Sequence, residues 1–279
     1  MRLSTVSGVV HSGRSDGVGV RIAGDRPMSG GSWRFTGLEF QVLWAQLGRD
    51  RLPYPLRFRP IADTQDDLDR QRRAAARQWA PRVTETLHRH LNALAEPAVR
   101  VEVCGYAGAG LDAKVRMHAG IRGASGALAI QLPGVDDDTG GDIYLHCVAP
   151  AQLAHAIVAA LPAAPAGTRR PLTFRRADLD SGGGPILVSA GSTRTRDEVN
   201  GFFRRPRTGI GEITAFAGVA YDSRPTEDGI GLHWLDFADD GRYSVRGVDN
   251  VVAAPVSAAD LASEIARLMA RVQARAARC

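Results

Sequence analysis

The hydrophobic pattern of this chain changes its period near residue 99, and that change constrains the fold more than any other feature. From Thr64 to Leu94 the apolar residues Leu68, Ala75, Trp79, Val83, Leu87, Leu91 and Leu94 recur mostly four apart, as on one helix face. Thr64 and Asp67 offer a capping box at its start. Pro81 interrupts the stripe, which predicts a kink or two helices meeting at residues 79–81. Upstream, residues 32–35 alternate as a short strand, and Thr36 can cap a helix with Phe40, Leu43, Trp44 and Leu47 on its face. The two prolines of Leu52-Pro53-Tyr54-Pro55-Leu56 forbid helix and predict extended chain.

Beyond residue 99 the period is two. Residues 99–106 and 113–121 alternate as strands joined by Ala107-Gly108-Ala109-Gly110-Leu111-Asp112. Residues 127–132 and 142–148 form a hairpin across 136–141, and a helix over 150–161 carries Leu153, Ile157 and Leu161 on one side. The second half restates this order. A strand at 186–190, a helix at 195–203 and an Arg-, Gly- and Pro-rich loop at 204–211 lead to a strand at 213–221. A hairpin of 230–237 with 242–245 follows, with Asp240-Gly241 as its turn signal. A strand at 248–252 comes next, then a helix opened by Ser257, with Leu261, Ile265, Leu268 and Val272 inward. Leu153-Ala154 and Ile157 correspond to Leu261-Ala262 and Ile265, 108 positions on. An internal duplication leaves this trace, and so does an Ala/Leu bias shared by two helices. The reading is one α+β unit over residues 32–279, with halves of about 32–165 and 172–279.

Composition adds limits. With 279 residues and 44% hydrophobic positions, the chain can bury its own core without disulfides or metal. The net charge of +5 is almost entirely arginine, Lys114 being the only lysine, so codon bias accounts for it as readily as a binding device does. Cys104, Cys147 and Cys279 are odd in number and form no CxxC pair. Residues 1–31, rich in Gly, Ser and Arg without sustained periodicity, read as a flexible leader lacking a signal-peptide core, and Met28 is an alternative start. No window approaches 18 uninterrupted apolar residues, so the expectation is a soluble, cytoplasmic protein with no membrane insertion.

Candidate chemistry falls away on inspection. Gly108-Ala-Gly110-Leu-Asp-Ala113 spells a dinucleotide-loop string, but a strand follows where a helix is needed, and the acidic residue about twenty positions on is missing. Asp136-Asp137-Asp138 opens like a calcium loop, yet Cys147 stands where the bidentate Glu belongs. His88 and His90, two apart on a helix, cannot chelate together, and His118, His146, His155 and His233 are isolated. No nucleophile elbow, HExxH or Walker loop occurs, and Gly182-Gly183-Gly184 lacks the Lys that would follow. The expectation is no catalytic residue, no cofactor and no metal. Arg70, Arg72, Arg73 and Arg77 are diluted by aspartates, and Arg204, Arg205 and Arg207 lack a stacking platform beyond Phe202 and Phe203, so nucleic acid is not an expected partner.

Phe35-Thr-Gly-Leu-Glu-Phe-Gln-Val-Leu-Trp44 followed by Leu52-Pro-Tyr-Pro-Leu56 resembles the N-terminal signature of the EspG family of ESX (type VII) secretion-associated proteins. Residues 127–161 resemble that family's middle. Asp236-Phe-Ala-Asp-Asp-Gly-Arg-Tyr-Ser-Val245 with residues 261–268 resembles its C-terminal Gly-Arg-Tyr strand and closing helix. The likeness covers about residues 32–270. It implies a central, mostly antiparallel sheet with flanking helices and quasi-two-fold symmetry. It further implies a cytosolic actinobacterial chaperone that binds the helical tip of the PPE protein in a PE–PPE heterodimer. The partner surface it implies includes the sheet, part of the C-terminal helical region and the loop between the second and third strands, here Ala107, Gly108, Ala109, Gly110, Leu111 and Asp112.

Such a role calls for an apolar surface with a polar rim and no reactive group. The export signal of type VII substrates is absent, since no Trp has Gly two residues on and no Tyr has an acidic residue four on. The competing class is a small-ligand-binding protein or enzyme on a duplicated α+β scaffold, which requires a deep pocket with converging polar groups.

Overall fold

The computed structural model of the protein describes residues 31–136, 139–177, 190–220 and 228–278, with side chains inside the helix after residue 189 described from residue 196. Strand β1 (Ser32–Phe35) leads into helix α1 (Gly37–Ala45), then α2 (Gln65–Trp79) and α3 (Glu85–Ala95). Strands β2 (Val99–Ala107), β3 (Ala113–Arg122), β4 (Ser125–Pro133) and β5 (Gly140–Val148) follow, with helix α4 (Leu153–Ala160) behind them. The second run is β6 (Leu172–Arg175), α5 (Ala190–Phe203), β7 (Arg207–Ala217), β8 (Ile230–Phe237), β9 (Arg242–Arg246), β10 (Asn250–Pro255) and α6 (Ala258–Ala276).

All ten strands join one antiparallel sheet in the order β1-β5-β4-β3-β2-β7-β8-β9-β10-β6. The fold is therefore α+β. Counted outward from the β2–β7 junction, each half runs through three successive strands and closes on the strand that began it. The strand order is thus symmetric about that junction. The helices that carry the Leu-Ala-Ile correspondence, α4 and α6, pack against each other on one face. They bury Leu153, Ile157, Leu261, Ile265 and Leu268 against Val101, Val103, Val115, Met117, Ile213, Leu232 and Trp234.

The other face is covered at its two ends. α1 to α3 lay Phe40, Leu43, Trp44, Trp79, Leu87, Leu91 and Leu94 over Ala127, Ala129, Ile143 and Leu145. α5 places Phe202 on Leu235, Phe237 and Tyr243, and Val199 on Phe174 and Val251. Thr36 caps α1 in a full box with Glu39. At α2, Thr64 accepts from the Asp67 backbone, but Asp67 turns its carboxylate to Arg70 and Gln71, so the box is half made. Pro81 ends α2, and a single 3-10 turn over residues 80–82 leads to α3.

Several expectations are corrected. The segment 52–56 is a turn, not extended chain: the Leu56 N–H donates to the Pro53 carbonyl at 2.9 Å, with the Tyr54–Pro55 peptide cis between them. Strand β6 was not expected: its four residues, Leu172–Arg175, run into a second arginine pair and are too few to show a period. The expected loop at 204–211 is strand from Arg207 onward. Its glycines are there for space: Gly105 and Gly211 lie opposite each other and form a slot for Trp234, whose ring a Cβ at Gly211 would meet at 2.0 Å. The leader, apart from Gly31, and the strand expected at 186–190, apart from Ala190 in α5, lie outside the described residues.

Candidate functional site

Between the ground covered by α1–α3 and that covered by α5, no helix among the described residues lies over the middle of the sheet. Register shows which side chains meet there. One row crosses the strands as Lys114, Tyr106, Ile210 and Leu235; the next as Arg116, Cys104, Glu212 and His233; the third as His118, Glu102, Thr214 and Gly231. Glu212 and His233 are exposed, while Tyr106, Cys104, Lys114, Ile210 and Thr214 are half-buried. Lys114 sits over the Tyr106 ring at 3.6 Å, and the Thr214 hydroxyl donates to Glu212 at 2.7 Å. The open strip is thus mostly polar, with Tyr106 and Ile210 as its larger apolar surfaces. That departs from the apolar surface with a polar rim expected of a chaperone.

A buried ionic layer supports the strip on the α1–α3 side. Arg100 donates through Nε to Glu102 at 3.0 Å, gives Nη1 to the Gly218 carbonyl at 2.8 Å, and lies 4.1 Å from the Phe216 ring centre. Both partners of this pair are at most 4% exposed. Burial raises the Glu102 carboxyl to about 7 despite the guanidinium beside it, with Asp228 and Glu212 adding to the rise. His118, directly opposite Glu102, donates Nδ1–H to the Tyr54 carbonyl at 2.8 Å, and burial lowers it to about 4. The Tyr54 hydroxyl is raised by burial, with Cys104 next to it. Tyr54 belongs to the α1–α2 connection, residues 46–64, and Gln131 grips this crossing segment at both backbone groups of Arg57, accepting from its N–H at 2.8 Å and donating to its carbonyl.

The segment from Ala107 to Asp112 continues the strip at its Tyr106–Lys114 end. Ala107 belongs to β2 and is 1% exposed, so its side chain is core. The other five residues form a tight turn. The Gly108 N–H donates to the Thr208 carbonyl at 2.9 Å, tying the turn to β7, and Leu111 closes on the Gly108 carbonyl at 3.0 Å. Gly108 (φ 97°) and Leu111 (φ 53°) both take left-handed backbone. Ala109, Gly110 and Asp112 face solvent. The Gly108–Ala113 string is therefore a turn that opens a strand, not a helix. Among the described residues no cluster of three or more His, Cys, Asp or Glu could hold a metal. No described helix is long and apolar enough to cross a membrane.

The Gly-Arg-Tyr segment is structural. Arg242 forks onto Asp236 at 2.6 and 2.7 Å with both side chains at most 4% exposed, and it also donates to the Pro162 carbonyl. The Tyr243 hydroxyl donates to Asp240 at 2.6 Å, and Arg205 reaches Asp239 and Asp240 from above the Phe237 ring. Trp44 is buried, with its Nε1–H on the Arg51 carbonyl.

Cys104, Tyr106, Lys114, Glu212, Thr214 and His233 were not singled out as site residues in the sequence. Their one signal is polar residues at alternate positions of β2 and β7, where sheet strands are usually half apolar.

The described residues form a ten-stranded antiparallel platform, helix-backed on one face and open along its middle on the other, with an α+β architecture. The EspG family model matches residues 36–267, and the chain belongs to the EspG family. No curated protein matches it in sequence. Among solved structures it is similar to the Mycobacterium tuberculosis type VII secretion system chaperone EspG5, solved in complex with the PE25–PPE41 dimer. That match has 15% identity and a TM-score of 0.57, and covers 85% of this chain and 95% of the other. At that identity the likeness is one of fold.

Proposed function

We propose that the chain is a cytosolic type VII secretion chaperone that binds a PE–PPE heterodimer at the helical tip of its PPE subunit and keeps the pair soluble for export. The observation that carries the reading is the open strip of β3, β2, β7 and β8, continuous with the 108–112 turn. Family membership, and a fold shared with a chaperone solved on a PE–PPE dimer, support the same role. The strip offers a docking partner several polar groups fixed by strand register, plus Tyr106 as an aromatic anchor. Rigid strands place these groups before the partner arrives, which keeps the ordering cost of binding low. The five turn residues Gly108, Ala109, Gly110, Leu111 and Asp112 extend the surface, and Ala107 anchors it. The function is contact and release, with no covalent step.

Co-expression tests this. A PE–PPE pair encoded in the same locus should become soluble when the chain is present and elute with it as one species on size exclusion. Aggregation of the pair to the same extent with and without the chain would contradict the reading.

A further inference from the structure

A second candidate surface lies on the outer side of the N-terminal helices and shares no residue with the open strip. Two clefts adjoin there, with Gln41 and Asp50 common to both. One, of about 310 Å³, lies between α1 and the crossing segment, and Arg51 and Arg57 line it with Leu52, Leu56 and Phe58. The other, of about 400 Å³, lies between α1 and α2, with Val42, Ala45 and Ala76 as its bed and Arg72 and Arg73 on its wall. Arg72 and Arg73 thus flank the apolar bed of the second cleft, whose one acidic lining residue is Asp50, while Arg51 and Arg57 line the first and have interactions of their own. Arg72 reaches Asp69 only at 3.6 Å, and Arg73 has no ion pair among the described residues. Gln41 keeps its Oε1 out of water and without a hydrogen-bond partner.

We propose that this groove docks an acidic peptide segment carrying an apolar anchor, supplied by a partner protein. The apolar bed takes the anchor. The planar guanidinium forks of Arg72 and Arg73 receive carboxylates. A nucleic-acid backbone fits less well, because it offers nothing to the Val42–Ala45–Ala76 bed and would be repelled by Asp50.

Fluorescence anisotropy on the full chain tests this. The probe is a labelled decapeptide of alternating Leu and Glu, set against the same peptide with Lys for Glu, the same with Ser for Leu, and a labelled single-stranded DNA of ten nucleotides. The Leu/Glu peptide should bind saturably and the Lys peptide should not. Affinity should fall at least tenfold in R72E/R73E, at least threefold in R73E alone (an exposed side chain whose change should not move the melting temperature), and severalfold with Ser for Leu. No binding of the Leu/Glu peptide, undiminished binding by R72E/R73E, or DNA binding tighter than the peptide and lost in the same variant would each overturn the proposal. Capture of a PE–PPE pair at the strip has its own readout, so the two claims fail separately.

Discussion

Glu102 and His118 face each other across β2 and β3, and burial displaces both toward their uncharged forms. The groups around them are Arg100 and Cys104 on β2, Arg116 on β3, Glu212 on β7, Tyr54 on the crossing segment, and Asp228. The folded His118 holds its proton only below about 4, so the unfolded chain protonates first, and stability falls between pH 6.5 and 4. The folded Glu102 takes its proton first, near 7, so acidification from 7 to 4.5 raises stability. The two slopes oppose each other over most of this range. E102Q, which mimics the protonated carboxyl, should therefore steepen the fall in denaturant midpoint from pH 6.5 to 4, a fall that His118 shares with His90 and His146, both also lowered by burial. A flat E102Q profile would show that His118 does not titrate as described. Gly211 gives a second residue-level test. G211A drives a Cβ into Trp234 and the Cys104 carbonyl and should cost about 2–3 kcal/mol of unfolding free energy. G201A, on an exposed position of α5 with open space around it, should add about 0.5–1 kcal/mol.

At the scale of elements, the α1–α2 connection is fastened to the sheet by polar groups as well as by Pro53, Pro55 and Leu56. Gln131, fully buried, serves both backbone groups of Arg57, so Q131A leaves two of them unpaired. It should destabilise by about 2–3 kcal/mol and speed amide exchange at Leu56 and Arg57 well above that of β4. Unchanged exchange there would mean the apolar contacts hold the segment alone. Much of the element level was legible in the sequence. Period two located β2, β3, β5, β8 and β9 to within two residues at either end, because apolar and polar residues alternate along them and a slip of one residue would carry the apolar set to the opposite face. What was not legible follows from the same physics. The start of β7 reads as loop because Gly209 and Gly211 leave room for Asp236 and Trp234, neighbours known only once β8 is paired. The 52–56 turn closes on its own backbone, a bond the two prolines do not reveal.

At the scale of the molecule, the strip is where sequence reading stops. Tyr106, Glu212 and His233 lie on three strands and become one surface only through a register spanning more than a hundred residues of chain. The 107–112 segment, by contrast, was visible as a Gly-rich link between two alternating runs, and only the core placement of Ala107 needed the fold. Among the described residues, two helices back one face of the sheet and four cover the two ends of the other, leaving its middle open. That arrangement makes contact, rather than chemistry, the proposed work of the protein. Hydrogen–deuterium exchange of the chain alone and with a soluble PE–PPE heterodimer tests that claim most directly. The account predicts new protection in β2, β7 and β8 and in residues 108–112, with α4 and α6 unchanged. Protection confined to α4 and α6, with the strip as open as before, would contradict it.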